Sequence, residues 1–155
     1  MTTTLTLDLP DEAATRALGA RLAELARPGD VILLFGNLGT GKSTLARAFV
    51  QALTSEDEEV PSPTFTLVQA YEAEAADIWH FDLYRLDKPE DAYELGVEDA
   101  FVDGISLIEW PERLGALTPR RRLDVALAAG EVATSRRATL TSHAQWDDRM
   151  KELIP

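Results

Sequence analysis

Residues 31–44, VILLFGNLGTGKST, specify the fold of this protein most directly. Its first part, Val31–Phe35, is wholly apolar, which is typical of a short strand buried on both faces of a parallel sheet. Residues 36–43 fit the phosphate-binding pattern G-x-x-x-x-G-K-[ST] at every fixed position. The residues that follow predict a helix from about Lys42 to Leu53. A buried strand, a glycine-rich turn and a helix in this order predict a P-loop.

The chemistry of phosphate binding explains the residue types in this turn. Glycines let backbone N–H groups surround a phosphate beside the positive N-terminal end of a helix. We expect Lys42 to reach the β- and γ-phosphates, the Ser43 hydroxyl to bind Mg²⁺, and Thr44 to lie near the α-phosphate. The predicted nucleotide contacts in this turn are Gly36, Asn37, Leu38, Gly39, Thr40, Gly41, Lys42, Ser43 and Thr44.

Two further apolar segments end in a carboxylate, as a P-loop protein needs for its metal and its attacking water. Ile105–Glu109 resembles a Walker B strand, with Glu in place of the usual Asp, and Ile78–Asp82 is similar. We assign Glu109 to the metal, directly or through water, because its strand is the more uniformly apolar. Asp82 is then assigned to positioning or activating the water. The two roles can be exchanged without violating the pattern.

Three residues near these carboxylates are open to more than one interpretation. Thr64, in a proline-flanked loop, is the candidate sensor of the γ-phosphate or Mg²⁺, as an alternative to a rigid loop entering a strand. Arg85 offers Asp82 a structural ion pair instead of a catalytic role. His80 is interpreted as a packed, hydrogen-bonded histidine rather than a catalyst, and Trp110 either walls the site or only packs.

The rest of the chain predicts one α/β domain over residues 1–155, with a sheet that is partly parallel and partly antiparallel. Alternating leucines predict a first strand, and Pro10 is expected to start the helix that follows. The other predicted elements are strands at residues 65–71 and Ile78–Asp82, a short helix at Pro89–Leu95 that stops at Gly96, an antiparallel pair near Leu123 and Leu140, and a last helix at 145–153.

Composition narrows the function classes. The 155 residues carry a net charge of -12, so the chain repels nucleic acid, whose binding depends largely on Lys and Arg. Arg120, Arg121 and Arg122 form a local basic cluster, interpreted as a solvated loop or as a contact for a phosphate or an acidic partner. The absence of cysteine excludes disulfides and thiolate chemistry and is compatible with the cytoplasm, the expected location. No transmembrane run and no secretory signal are expected.

Several segments together resemble one family. Residues 36–44 are similar to its Walker A sequence, which most often reads GDLGAGKT, and SPTFTLV at 62–68 matches its S-P-T-[FY]-T-L-V segment. HFDLYR at 80–85 and EWP at 109–111 match two more of its motifs, and residues 11–19 are similar to its N-terminal helix. The family is TsaE, the small bacterial ATPase of tRNA threonylcarbamoyladenosine (t6A) biosynthesis. Asn37, Thr40 and Ser43 stand where Asp, Ala and Thr are commoner, and Ser43 keeps the hydroxyl.

The resemblance implies properties that the residues alone do not. The fold would be a P-loop NTPase core with antiparallel additions, and the ligands would be ATP or ADP with Mg²⁺. Thr15 would lie toward the base, and an arginine near the C-terminal hairpin, best matched by Arg137 with Arg136 as the alternative, would lie near the nucleotide. The partner would be the two-subunit threonylcarbamoyl transferase complex, with TsaB- and TsaD-like subunits, that modifies adenosine 37 of tRNA. Hydrolysis would drive turnover of that complex.

Two other functions remain open at this point. One is a P-loop kinase that phosphorylates a small molecule or a protein, although no lid insertion is evident in the sequence. The other is a nucleotide-dependent binding switch with negligible hydrolysis. The presence of Asp82, Thr64 and Glu109 favours hydrolysis.

Overall fold

The computed structural model of the protein describes residues 2–37, 39–143 and 146–153. Its strands are β1 (Thr2–Leu9), β2 (Val31–Phe35), β3 (Val68–Tyr71), β4 (Ile78–Asp82), β5 (Ile105–Glu109), β6 (Arg122–Ala129) and β7 (Arg136–His143). They form a seven-stranded sheet in the order β1-β7-β6-β2-β5-β4-β3. β2 is parallel to β5 and β6, and β4 is parallel to β5, whereas the pairs β1–β7, β6–β7 and β3–β4 are antiparallel. The predicted α/β fold with a mixed sheet is confirmed.

Helices cover both faces of this sheet. The α-helices are α1 (Glu12–Leu25), α2 (Lys42–Leu53), α3 (Val97–Asp103) and α4 (Asp147–Met150), and 3-10 segments occupy Pro89–Leu95, Pro111–Leu117 and Lys151–Leu153. Within the described ranges, no helix has the length and apolarity needed to cross a membrane.

The central strand β2 divides the core because successive side chains of a strand point to opposite faces. Ile32 and Leu34 are buried in the cluster that includes residues of α1 and α2. Val31 and Leu33 are buried in the cluster that includes residues of α3 and of the two longer 3-10 segments. With both faces covered, β2 has the wholly apolar sequence that fully buried parallel strands require. The turn after β2 is therefore anchored on a rigid strand.

Close packing of α1 on α2 brings the start of α1 to the glycine-rich turn. A Cβ atom added to Gly19 would lie 2.5 Å from the Leu45 carbonyl oxygen, so only glycine permits this approach. At the same helix pair, a Cβ on Gly41 would lie 3.4 Å from Thr15 Cγ2. The helix contact therefore places Thr15 beside the predicted phosphate loop.

Several predicted boundaries are wrong for identifiable reasons. Pro10 does not start α1: the Asp11 carboxylate accepts a hydrogen bond from the Ala14 N–H at 2.8 Å, so Asp11 is the N-cap. The strand predicted at 65–71 begins only at Val68, because Leu67 has a φ of 67° that a strand does not accommodate. The last helix breaks into α4 and a 3-10 turn, and the predicted start at Gln145 lies outside the described residues. Helix α3 and the 3-10 segment after β5 were not predicted.

Candidate nucleotide site

A cavity of about 760 Å³ lies at the carboxyl ends of β2, β4 and β5. It brings together most of the predicted site residues: Thr15, Gly39, Gly41, Lys42, Ser43, Thr44, Thr64, Asp82 and Glu109. The other lining residues are Asp11, Glu12, Ala13, Arg16, Ser62, Trp110, Ala133, Thr134 and Arg136. Gly36, Asn37 and Thr40 line an adjoining recess of about 510 Å³. Leu38, also predicted to contact nucleotide, lies outside the described residues.

The turn after β2 has the backbone that a phosphate cradle needs. Gly36 has a φ of 143°, and a Cβ there would lie 2.6 Å from the Leu127 carbonyl oxygen. Gly41 has a φ of 99° and is the N-cap of α2, where no side chain of the described residues makes a capping hydrogen bond. The first N–H groups of α2 therefore lack the side-chain acceptor that caps most helices, which suits an anionic ligand. The Thr40 hydroxyl donates to the Asn37 carbonyl at 2.7 Å and braces the turn.

Lys42 is the first residue of α2 and its ammonium group is buried against this cavity. Its Nζ has no hydrogen-bond partner among the described residues and lies 3.8 Å from the centre of the Trp110 ring. Burial lowers the pKa of Lys42, and the Glu109 and Asp82 carboxylates oppose that shift. A buried cation without a hydrogen-bonded partner costs free energy, so an anion in the cavity would satisfy a group that the protein leaves unsatisfied.

Asp82 ends β4 and is held from two sides. One of its carboxylate oxygens accepts the Tyr84 N–H at 3.0 Å, and the other lies 3.5 Å from the Thr64 hydroxyl, itself 2.8 Å from the Ser62 hydroxyl. Burial raises the pKa of Asp82, and the charge of Glu109 adds to the shift, while the hydrogen bond from Tyr84 opposes it. A carboxylate with a raised pKa is a better base toward water. The structural ion pair with Arg85 is not formed among the described contacts, because the Arg85 guanidinium lies over the Phe65 ring.

Glu109 ends β5 next to Asp82 on the neighbouring strand, where the parallel register pairs the two residues. Its carboxylate lies 2.7 Å from His80 Nε2, and both side chains are buried. The interpretation of His80 as a packed, hydrogen-bonded histidine is therefore confirmed. Its partner is Glu109, the predicted metal ligand. The sequence did not indicate this contact, because the two residues meet diagonally across adjacent strands.

The two neighbouring arginines of β7 occupy different surroundings. Arg136 lines the cavity and donates to the Gly39 carbonyl at 3.0 Å and to the Ala133 and Ser135 carbonyls at 2.8 and 2.7 Å. Arg137, which the family resemblance favoured, is exposed and pairs with Asp8 at 3.2 Å. Successive strand residues point to opposite faces, so only one of the two can face the turn. Of the two arginines, Arg136 is therefore the one that lies at the turn and the cavity, and Arg137 is not.

The oxygen atoms around this cavity fit a magnesium ion only when a bound phosphate compound supplies the remaining oxygen atoms. Hydroxyl and carboxylate oxygens, as on Ser43 and Glu109, are the ligands that Mg²⁺ prefers. Among the described residues, no group of three or more acidic, histidine or cysteine side chains forms a metal cage. Mg²⁺ is commonly held by one or two protein oxygens plus substrate phosphates, and this donor set matches that mode.

The course of β2 into this turn and α2 defines a P-loop protein. A family model described as "Threonylcarbamoyl adenosine biosynthesis protein TsaE" matches residues 9–138, and this chain belongs to that family. The match covers every predicted motif, from the first helix to the C-terminal hairpin.

Individual relatives agree with the family match. A protein of Rickettsia conorii described as "tRNA threonylcarbamoyladenosine biosynthesis protein TsaE" is 37% identical over 137 residues, covering 88% of this chain and 78% of that protein. A protein of Nostoc sp. with the same description is 39% identical over 139 residues, covering 86% and 83%. The crystal structure of Bacillus subtilis YdiB superposes with a TM-score of 0.80 at 27% identity, covering 99% of this chain and 95% of that one. None of these comparisons supports the kinase alternative.

Proposed function

We propose that this protein is the ATP-binding and ATP-hydrolysing component of the t6A machinery, acting on adenosine 37 of tRNA through a partner. The observation that carries the proposal is the buried Lys42 ammonium, which has no hydrogen-bond partner in the described part of the chain and faces a cavity beside Asp82 and Glu109. The names of the relatives supply the pathway, tRNA threonylcarbamoyladenosine biosynthesis. The residues supply the chemistry.

Each group in the cavity has a distinct task in this proposal. Lys42 and the first N–H groups of α2 bind the polyphosphate, and Thr15 lies toward the base. Arg136 holds the β6–β7 hairpin against the turn through the Gly39 carbonyl. Asp82 orients the attacking water and accepts its proton, and the hydroxyl of Thr64 fixes the Asp82 carboxylate.

Ser43 and Glu109 would hold the metal ion. When bound, Mg²⁺ neutralises charge on the phosphate oxygens during phosphoryl transfer. The hydrogen bond from His80 to Glu109 keeps that carboxylate in one orientation. Trp110 lies against the Lys42 ammonium and the Tyr84 ring, and it walls the cavity on this side.

The partner in this proposal is a two-subunit threonylcarbamoyl transferase with TsaB- and TsaD-like subunits. A net charge of -12 disfavours direct contact with tRNA, so RNA recognition belongs to the partner. Residues 1–155 act as a single P-loop domain in the cytoplasm. Turnover without the partner is expected to be slow, because the Thr64–Asp82 contact of 3.5 Å is at the limit of a hydrogen bond.

The test is phosphate release from ATP with and without the two-subunit transferase, with tRNA modification followed in parallel. We expect faster release in the presence of the transferase. Lys42→Ala should abolish nucleotide binding or turnover because it removes the only lysine of the cradle. Phosphate that appears on an added acceptor, with none released free, would establish the kinase function instead. Nucleotide binding without any release, even with the transferase, would establish a binding switch.

A further inference from the structure

An exposed aromatic ring and a cation lie together just outside the cavity. The Phe65 side chain is 80% exposed, and the Arg85 guanidinium lies 4.6 Å from the centre of its ring. No carboxylate of the described residues forms an ion pair with Arg85. We call these two residues the Phe65–Arg85 patch. Phenylalanine and arginine are both enriched at protein–protein interfaces, and this exposed pair has that composition.

The patch is built on the same two segments that hold the catalytic pair. Phe65 directly follows Thr64, and Arg85 comes three residues after Asp82. The segments are joined by a hydrogen bond from the Asp82 N–H to the Leu67 carbonyl at 2.9 Å. The Thr64 hydroxyl and the Asp82 carboxylate meet at 3.5 Å on the cavity side, while Phe65 and Arg85 meet on the outer side. A ligand on the outer pair therefore acts on the inner pair through one peptide unit on the Phe65 side and three on the Arg85 side.

We propose that the Phe65–Arg85 patch docks a protein partner that offers an apolar pocket for Phe65, bordered by a carboxylate for Arg85. The charge of the chain selects this occupant. At -12 the protein repels RNA, although an aromatic ring and an arginine also suit a nucleobase. A second copy of the same acidic chain is disfavoured by the same repulsion. A protein with a local carboxylate complements the Arg85 guanidinium of the patch.

This inference rests on the proposed function, since the partner is taken to be the two-subunit transferase. Docking orders the Thr64 and Asp82 segments together, so the partner would both bind at the patch and accelerate hydrolysis. Stimulation of turnover and affinity for the transferase should then fall together when the patch is changed. If the patch only completed the nucleotide pocket, its substitution would not lower the stimulation of turnover and the affinity for the transferase together.

The test compares Phe65→Ser and Arg85→Glu with Val102→Ser, a matched control. Val102 is 78% exposed in α3, next to Gly29, and thus at the opposite end of β2 from the cavity. Binding to the purified transferase is measured by calorimetry, and phosphate release is measured with and without it. We expect each patch variant to bind about tenfold more weakly or worse, with stimulation reduced in step. Basal release and melting temperature should match the wild type, and Val102→Ser should behave as the wild type throughout.

Four outcomes would overturn this inference, each for a different reason. If the wild type does not bind the transferase at all, the proposed function fails and the inference fails with it. If the wild type binds and both patch variants bind equally well, the inference alone fails. Loss of tRNA binding in Phe65→Ser, with transferase binding retained, would assign the patch to RNA. Loss of a wild-type self-association in the same variant would assign it to a second copy of the chain.

Discussion

Replacement of Asp82 by asparagine separates catalysis from binding more cleanly than truncation does. The Asp82 oxygen that accepts the Tyr84 N–H at 3.0 Å is retained in Asp82→Asn. The other carboxylate oxygen, 3.5 Å from the Thr64 hydroxyl, is replaced by the amide NH₂ group. The Thr64 hydroxyl can then accept a hydrogen bond instead of donating one. Shape and hydrogen bonds are preserved, so charge and basicity are the properties that change.

The expected loss of turnover follows from the role assigned to Asp82. A positioned general base contributes about 10²- to 10⁴-fold to a rate. At 1.36 kcal/mol for each factor of ten, this is roughly 2.7–5.4 kcal/mol of activation free energy. Affinity for nucleotide should change by less than about threefold, because the phosphates are assigned to Lys42 and the α2 amides, and a lost carboxylate only reduces repulsion.

The same variant has a stability signature with a defined sign. Burial raises the pKa of Asp82 above 3.8, so the folded protein holds this proton more tightly than the unfolded chain. The native state then binds more protons between 3.8 and the raised value, and stability falls as the pH rises through that interval. At pH 7, above this interval's lower limit of 3.8, the wild type carries the stability cost, so Asp82→Asn should be more stable than the wild type. The advantage should shrink as the pH falls toward 3.8.

The assays are single-turnover phosphate release, binding of a fluorescent ATP analogue, and urea unfolding at pH 7 and pH 4. Asp87→Asn is the matched control, since Asp87 is an exposed acid close to Asp82 in sequence. We expect it to leave turnover unchanged. Turnover of Asp82→Asn within about threefold of the wild type would refute the base assignment. A loss of nucleotide affinity as large as the loss of turnover would refute the division between binding and catalytic groups.

Substitutions at three further positions test the geometry of the site. Gly36→Ala should lower the free energy of unfolding by about 2–4 kcal/mol, because its Cβ would meet the Leu127 carbonyl at 2.6 Å and the φ of 143° is strained. Gly39→Ala should cost only about 1 kcal/mol, from its φ of 81°, since no other described residue beyond its chain neighbours lies within 4 Å of its Cβ. The two costs are measured by urea unfolding, and equal costs would contradict this reasoning. His80→Leu should destabilise the protein by about 1–3 kcal/mol and weaken Mg²⁺-dependent nucleotide affinity, because Glu109 loses its buried partner at 2.7 Å. His80→Gln keeps a donor in that direction and should restore much of the stability and of the Mg²⁺-dependent affinity. Without Mg²⁺ the two His80 variants should bind nucleotide equally well. Equal affinities in the presence of Mg²⁺ would show that the hydrogen bond does not position Glu109.

The sequence predicted those parts of the site that depend on local patterns. The bounds of β2, β4 and β5 match the structure, because each is a short apolar run ended by a turn glycine or a carboxylate. The lysine and serine at the start of α2 line the cavity, as the phosphate motif requires. In each case the residues that specify the structure are neighbours in sequence.

The parts that could not be predicted depend on contacts between distant segments. Arg136 rather than Arg137 faces the turn because β7 pairs with β1 and β6 in one register, which places Arg137 opposite Asp8. A shift by one residue would exchange the two side chains, and no local pattern fixes that choice. The turn at Leu67 is likewise stabilised from a distance, since its carbonyl accepts the N–H of Asp82 on β4. Apolar periodicity alone predicts a strand that runs through Leu67.

The buried charges of this protein follow two different arrangements, and the contrast supports a ligand site. Asp30 and Arg149 are both buried and form a closed pair, with guanidinium–carboxylate distances of 2.6 and 3.1 Å. Lys42 has Asp82 and Glu109 close enough to affect its pKa, yet its Nζ makes no hydrogen bond within the described residues. The fold can therefore close a buried ion pair where stability requires one, and in the cavity it keeps the opposite charges apart. Groups that serve only the fold would gain from pairing, whereas a cation kept apart from its acids leaves room for phosphates, a metal ion and a water between them.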